Sequence, residues 1–333
     1  MCSYSIVVSI FACHVRDPGS IPGSCAFLIQ IKYNKKLIPK LYYNKSYYEY
    51  ILLVRQRLDQ VSLQMKFLDI KQTPEQQQVV RKIQKSFGTA VGEYKMIEQG
   101  DRVALALSGG KDSWTLLHLL IDFQRRVPIK FEVIPITVET GFAGFDANVK
   151  KLEQYIEDVL HMKLVVLHDK FPEIIEKHKT PGTSACSFCA RMRRGALYTY
   201  LQANNINKLA LGHHADDAIE SMLMSQQFNG VLWTQVPIVK AKDKPVTVIR
   251  PLILTYEQQM KDFTAIFKFP VVTCNCPFEG NPAHKRAVVK KQVKSMCEEN
   301  EAVRGCLLKT CREMFEVIAA KRAARGEEEN DDE

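Results

Sequence analysis

The stretch Val103-Ala104-Leu105-Ala106-Leu107-Ser108-Gly109-Gly110-Lys111-Asp112-Ser113-Trp114 decides how this chain folds. Val103–Leu107 is an unbroken apolar run, which predicts a short strand buried on both faces, as in a parallel sheet. Ser108–Ser113 reads as a turn, and Trp114–Phe123 continues as a helix. Two glycines in the turn let backbone N–H groups approach an anion closely. The helix N-terminus behind them adds partial positive charge. Ser108 and Ser113 offer hydroxyl donors and Lys111 a cation, a set that suits a di- or triphosphate. The spacing is not that of a Walker A loop, which has four residues between its glycines and then Gly-Lys-Ser/Thr. Here Asp112 follows the lysine, and a carboxylate there repels phosphate unless a cation such as Mg2+ intervenes. A plain strand-to-helix turn is the bland alternative, and the joint presence of strand, glycines, cation and helix argues against it.

Working outward, strands and amphipathic helices alternate. Val80, Ile83, Phe87, Val91 and Tyr94 recur at helical spacing after Thr73-Pro74. Phe131–Val138 and Lys163–His168 read as strands, separated by a helix that Asp146 can cap and whose apolar face is Val149, Leu152, Ile156 and Val159. Gly195–Gln202 reads as a helix, Leu209–Gly212 as a fourth strand and Val246–Ile249 as a fifth. Alternation of this kind predicts an α/β fold, an open parallel sheet with helices on both faces. Ligands in such sheets bind at the carboxyl ends of the strands.

The chain has 333 residues, 46% of them hydrophobic and 25% charged, enough for a sizeable core. A formal charge of +9 favours a polyanionic partner without requiring one. No apolar run is long enough for a membrane span. The run Ile6–Ala12 lacks the basic flank of a signal peptide, so a soluble, cytoplasmic protein is expected. Residues 1–73 differ in texture, with a turn-rich segment and interleaved Lys and Tyr over Tyr33–Tyr50. They are expected to be a poorly ordered extension, with an RNA-contacting arm as the alternative. Residues 74–300 form the expected main domain, 301–326 a C-terminal helix and 327–333 an acidic disordered tail.

Ten cysteines are many for a chain that does not need disulfides to fold. Their clustering points to metal or redox chemistry. Cys186-Ser187-Phe188-Cys189 is a CxxC followed at once by Arg191, Arg193 and Arg194. Leu211-Gly212-His213-His214-Ala215-Asp216-Asp217 comes at a strand end, and Thr273-Cys274-Asn275-Cys276-Pro277 follows later. Asp216 and Asp217 suit Mg2+ coordination or proton handling, or equally the cap and first turn of a helix. His213 and His214 are candidates for phosphate contact. Lys285, Arg286, Lys290, Lys291 and Lys294 form a basic stretch, and Lys240, Lys242 and Lys244 another; either is a solvated surface or a set of RNA phosphate contacts.

Ser108–Ser113 resembles the SGGxDS signature of the PP-loop ATP pyrophosphatases, which cleave ATP between the α and β phosphates. The order SGGKDS, C-x-x-C-x-R-x-R-R-G, GHH-x-DD and a further cysteine resembles the tRNA 2-thiocytidine synthetase family, over about two-thirds of the chain. The resemblance implies a tRNA sulfurtransferase that adenylylates the C2 oxygen of an anticodon-loop cytidine, position 32 in the family, releasing pyrophosphate, and then replaces that oxygen at C2 by sulfur as AMP leaves. It implies ATP on Ser108, Gly109, Gly110, Lys111, Asp112 and Ser113, with Mg2+ near Asp112, and catalytic carboxylates at Asp112, Asp216 and Asp217. It further implies a [4Fe–4S] cluster on Cys186, Cys189 and a third cysteine. Here only Asn275 separates Cys274 from Cys276, where the family has two intervening residues. Cys276, followed by proline as in the archaeal and eukaryotic thiolases, is preferred as third ligand, and Cys274 stays open. Four-coordinate zinc is the alternative metal. Implied partners are tRNA and a sulfur donor such as a cysteine desulfurase, with a homodimer as an option. The competing functions are a tRNA 2-thiouridine synthetase, a tRNA-lysidine synthetase-like ligase and a non-catalytic zinc-stabilised RNA-binding module.

Overall fold

The computed structural model describes residues 72–139, 141, 145–169, 171–178, 185–240, 245–272 and 285–325. The expectations for residues 1–71 and 326–333, and for Cys274 and Cys276, fall outside these residues.

Helix α1, Pro74–Glu93, opens on a reciprocal cap: Gln76 N–H donates to Thr73 Oγ1 (3.3 Å) while Thr73 N–H donates to Gln76 Oε1 (3.0 Å). It buries Val80, Ile83, Phe87, Ala90 and Val91. Then follow β1 (Arg102–Ala106), α2 (Lys111–Arg126), β2 (Glu132–Glu139), α3 (Phe145–Asp158), β3 (Val165–His168), α4 (Phe171–His178), α5 (Ala185–Ala203) and β4 (Lys208–Ala210). The remainder is α6 (Ala215–Met224), a π-helical turn (Ser225–Asn229), β5 (Ile238–Lys240), β6 (Thr247–Ile249), α7 (Glu257–Phe267), α8 (Lys285–Glu299) and α9 (Ala302–Arg325).

The strands form one sheet in the order β3-β2-β1-β4-β6-β5. All described pairings are parallel except β5 with β6. The sequence reading missed β5, a three-residue edge strand too short to carry an alternating pattern. It also started the helix over Gly195–Gln202 too late: α5 begins at Ala185, so Cys186 and Cys189 lie on the helix. None of the described helices is long and apolar enough to cross a membrane.

The order of strands places the site. From β1 the chain steps to β2 and β3 on one side, then returns across to β4 on the other. The crevice above the carboxyl ends of β1 and β4 is the switch point. Right-handed crossovers put α2 on one face and α5 on the opposite face. The C-terminal end of α5 is tied to the amino end of β1, because the Arg102 side chain donates to the carbonyl of Asn204 and Arg102 N–H to Asn207 Oδ1. Nineteen helical residues span about 28 Å, and the five of β1 about 17 Å. Running back along the strands, α5 therefore lifts its CxxC turn above the carboxyl edge of the sheet.

Candidate active site

The turn after β1 holds its shape through its own hydroxyls. Ser113 Oγ donates to the carbonyl of Gly110 (2.9 Å), Ser108 Oγ lies 3.2 Å from Ser113 Oγ, and Gly110 N–H donates to Ser108 Oγ at 3.3 Å. Gly109 has φ +82°, and a Cβ there would lie 2.2 Å from Val272 Cγ2. Only glycine fits, on both counts. Gly110 caps α2 without a side chain, which leaves backbone amides of the first turn for an anion.

Lys111 is held between Asp112 (3.1 Å) and Glu257 (3.0 Å), the first residue of α7. Burial works against its charge, but the two carboxylates outweigh burial and raise its pKa. Glu257 responds in kind: burial pushes it up, and Lys111, Lys290 and Lys261 together bring it down to about 2. Asp112 Oδ1 is buried without a hydrogen bond, although the Lys111 ammonium lies 3.1 Å away outside hydrogen-bonding alignment. An orphaned carboxylate oxygen beside a phosphate cradle fits Mg2+, whose ligands are carboxylates and phosphate oxygens.

The turn after β4 lies against the first. A Cβ on Gly212 would sit 3.4 Å from both Asp112 C and Ser113 N. His214 caps α6 by accepting from Asp217 N–H at 3.4 Å, and Asp217 Oδ2 accepts from His214 N–H at 3.1 Å. Burial opposes the Asp217 charge, and His214, His213 and Arg286 overcome it, so its pKa is lowered. Asp216 is buried with both oxygens engaged: Oδ2 accepts from Glu257 N–H (2.7 Å) and Oδ1 meets Arg304 of α9 (3.1 Å). The paired-carboxylate expectation thus divides, with Asp216 joining α6, α7 and α9 and Asp217 closing the cap. His213 is pressed down to about 3 by burial and then by Arg250, which donates to its Nδ1 at 3.3 Å. A neutral His213 does not bind phosphate as a cation.

Glu220, one turn beyond Asp216, escaped the sequence reading. It is buried, faces Arg286 at 3.6 Å, and is raised to about 7 by burial and then by Asp217. Its spacing of four from Asp216 was the available signal. Glu257, Arg250 and Arg304 also went unnoticed, since each reaches the site from a distant segment.

The segment after α7 is sewn to the phosphate turn at two points. Trp114 Nε1–H donates to the carbonyl of Pro270 (3.2 Å), and Val272 N–H donates to the carbonyl of Gly109 (3.0 Å). Trp114 itself packs against Tyr155, and His118 stacks on Phe269 with centroids 4.4 Å apart. On α5 only the helical backbone of Cys186 is described; Cys189 is half-buried and in no disulfide. Arg193, one turn after Cys189, has a buried Nε without a hydrogen-bond partner among the described residues. A buried guanidinium N–H without a hydrogen bond, one helical turn along from Cys189, fits an anionic group at this end of α5.

Comparison with known proteins agrees with this architecture. The PP-loop domain family matches residues 75–273. The chain is 40% identical over 245 residues to a tRNA-cytidine(32) 2-sulfurtransferase of Geobacter metallireducens, covering 74% of this chain and 91% of that protein. It is 41% identical over 229 residues to the corresponding protein of Geobacter sulfurreducens, covering 69% and 88%. Among solved structures, the U34-tRNA thiolase NcsA from Methanococcus maripaludis, determined with its [4Fe–4S] cluster, superposes with a TM-score of 0.59 at 18% identity. That match covers 72% of this chain and 80% of NcsA. It speaks for a shared fold.

Proposed function

Given that the chain belongs to the tRNA-cytidine(32) 2-sulfurtransferase family of PP-loop proteins, we propose the following division of labour among its residues. The activity is ATP-dependent thiolation of a tRNA base, cytidine 32 in the relatives. The β and γ phosphates rest on the amides of Gly109 and Gly110 and the first turn of α2, with the hydroxyls of Ser108 and Ser113 and the ammonium of Lys111 around them. Asp112 holds Mg2+ through its orphaned Oδ1. The cytidine, splayed from its loop, brings its C2 oxygen to the α phosphorus; that oxygen attacks and pyrophosphate leaves. Adenylylation converts the oxygen into a good leaving group. Asp217 and its partner His214 fix the start of α6 beside the phosphates, and Asp216 positions Glu257 and hence Lys111.

The thiolates of Cys186, Cys189 and Cys276, or Cys274 in its place, would hold the [4Fe–4S] cluster, and Arg193 would balance its charge. When bound, the cluster would supply the sulfur that replaces the adenylylated oxygen. The partners proposed are tRNA, a sulfur donor such as a cysteine desulfurase, and a second copy of the chain. A tRNA substrate suits a cytoplasmic setting.

The observation that carries this reading is the hydrogen bond from Val272 to Gly109, which ties the segment leading to Cys274 and Cys276 to the phosphate turn. Cys189→Ala is expected to lose iron, sulfide and the visible absorption of the cluster under anaerobic purification, together with 2-thiocytidine formation, while ATP binding persists. Nucleoside mass spectrometry of the product tRNA measures the modification, and full thiolation by Cys189→Ala would remove the assignment.

A further inference from the structure

Beyond the end of α6 the surface is built unlike its surroundings. The helix widens into the π-helical turn Ser225–Asn229, which Gly230 stops in a left-handed conformation. Buried Ser225 clamps the following chain from both sides: Val231 N–H donates to its carbonyl (3.2 Å) and its Oγ donates to the carbonyl of Val231 (2.8 Å). The clamp presents apolar side chains to solvent, with Phe228 40%, Val231 53% and Leu232 64% exposed. Val288 of α8, 42% exposed, is a further apolar side chain in the open, one turn after Lys285, whose ammonium lies 4.9 Å from the Phe228 ring centroid. A rigid loop that displays three apolar side chains is costly in water unless something covers it. Single-turn π insertions concentrate at functional sites.

The helix beside this ridge breaks a local rule as well. Lys285 and Arg286 stand in the first turn of α8, where the helix dipole disfavours cations, and that turn carries no acid of its own. Lys290, Lys291 and Lys294 follow, and the first acids of the helix are Glu298 and Glu299. All five cations are exposed. Val289 and Val293 face inward, and α8 packs on α6. Arg286 and Lys290 reach Glu220 and Glu257 (3.6 and 3.3 Å), so the basic face runs from the ridge to the phosphate turn. Ten residues of α6 set the ridge about 15 Å from the His214 cap.

We propose that Phe228–Leu232 and the basic face of α8 form the docking surface for the RNA substrate, with Phe228 as a stacking platform for an unpaired base and Lys285, Lys291 and Lys294 on the flanking phosphates. This rests on RNA being the substrate. Charge selects the occupant: five exposed cations face three carboxylates, Glu220, Glu257 and Glu298, and the positive excess beside an aromatic ridge matches a single-stranded polyanion with flat bases. A protein partner or a second copy of this chain, carrying the same cations, would meet them less well.

The test compares the intact protein with Phe228→Ala, Leu232→Ser and the double variant Lys285→Ala/Lys291→Ala. Binding of an unmodified tRNA transcript is followed by fluorescence anisotropy at several salt concentrations, with ATP binding, thermal melting and sedimentation velocity in parallel. Phe228→Ala and Leu232→Ser are expected to weaken RNA binding about tenfold, ATP binding and melting being unchanged. The double lysine variant should also flatten the salt dependence by about 1.4 in log–log slope. RNA affinity within twofold of the intact protein in all variants overturns the proposal, as does a dimer that dissociates while RNA affinity stays the same. If Phe228→Ala melts early, Leu232→Ser carries the test alone, since its side chain is the more exposed. An intact protein that binds no tRNA would defeat the sulfurtransferase reading itself; intact binding with indifferent variants defeats only the ridge.

Discussion

The turns after β1 and β4 face each other across the switch point, and each opens a helix, yet they direct their polar groups oppositely. Ser108–Ser113 ties its hydroxyls to its own backbone, takes outside polar contacts from Glu257 and Val272, and keeps first-turn amides and a lysine at the crevice. Gly212–Asp217 turns its groups inward: His214 and Asp217 cap each other, Asp216 holds Glu257 and Arg304, and His213 accepts from Arg250. The lesson is that what a charged residue at a strand end can do depends on whether its partners point it into the crevice, as with Lys111, or tie it into the scaffold, as with Asp216. One turn is the instrument and the other its mounting.

The sharpest way to break that contrast is Gly109→Ala. The added methyl meets Val272 at 2.2 Å in a conformation that alanine resists. It should reduce tRNA-dependent AMP release at least about 100-fold, the scale set by displacing reacting groups by an ångström. Retention of more than a tenth of the rate would mean that the turn tolerates remodelling.

Next in size is a crossed pair of substitutions. Asp112→Asn is expected to lower kcat by about tenfold or more with melting unchanged, if its Oδ1 holds Mg2+ as proposed. Asp216→Ala should do the reverse, costing about 2 kcal/mol in denaturant unfolding by leaving half-buried Arg304 and the Glu257 N–H without their carboxylate, with smaller loss of turnover from the folded fraction. Equal effects of both variants on both measurements would erase the distinction between the two turns.

The smallest effect concerns Glu220. Burial and Asp217 push its carboxyl up to about 7, above the ordinary 4.5. The folded state therefore binds more protons between those values, and stability falls as pH rises through that window. Glu220→Gln should remove that slope and stabilise the protein at pH 8 by on the order of 1 kcal/mol, a figure reduced for the solvent around Arg286. Urea midpoints at pH 5 and pH 8 measure it; an unaltered slope would show that Arg286 neutralises the carboxylate fully.

The sheet was legible because buried parallel strands are written as apolar runs: Val103–Leu107 overlaps β1 with a shift of one residue, and Lys163–His168 contains β3 with two residues to spare. The phosphate turn was legible for a similar reason, since glycines, serines and lysine sit side by side in the chain. What could not be read were contacts made by distant segments. Glu257 meets Lys111 from nearly 150 residues away, and Val272 reaches Gly109 across a comparable interval. Alone, each looks like an ordinary helix-start acid or loop valine. The roles of Asp216 and Asp217 were ambiguous for the opposite reason: the same adjacent pair serves a metal or a cap, and only partners separate the two. Helix α5 ran further toward Cys186 than expected because Gly195 sits exposed on it, where a helix tolerates glycine at a cost of about 1 kcal/mol.

Lys111 arrives at catalysis already oriented. A lysine waving in water would surrender the rotamer freedom of its four-carbon stem at the moment a nucleotide binds, on the order of 2 kcal/mol. Clasped by Asp112 and Glu257, it surrendered that freedom when the chain folded. An incoming phosphate does not recruit the ammonium; it inherits it, and Glu257 keeps Lys261 and Lys290 for company.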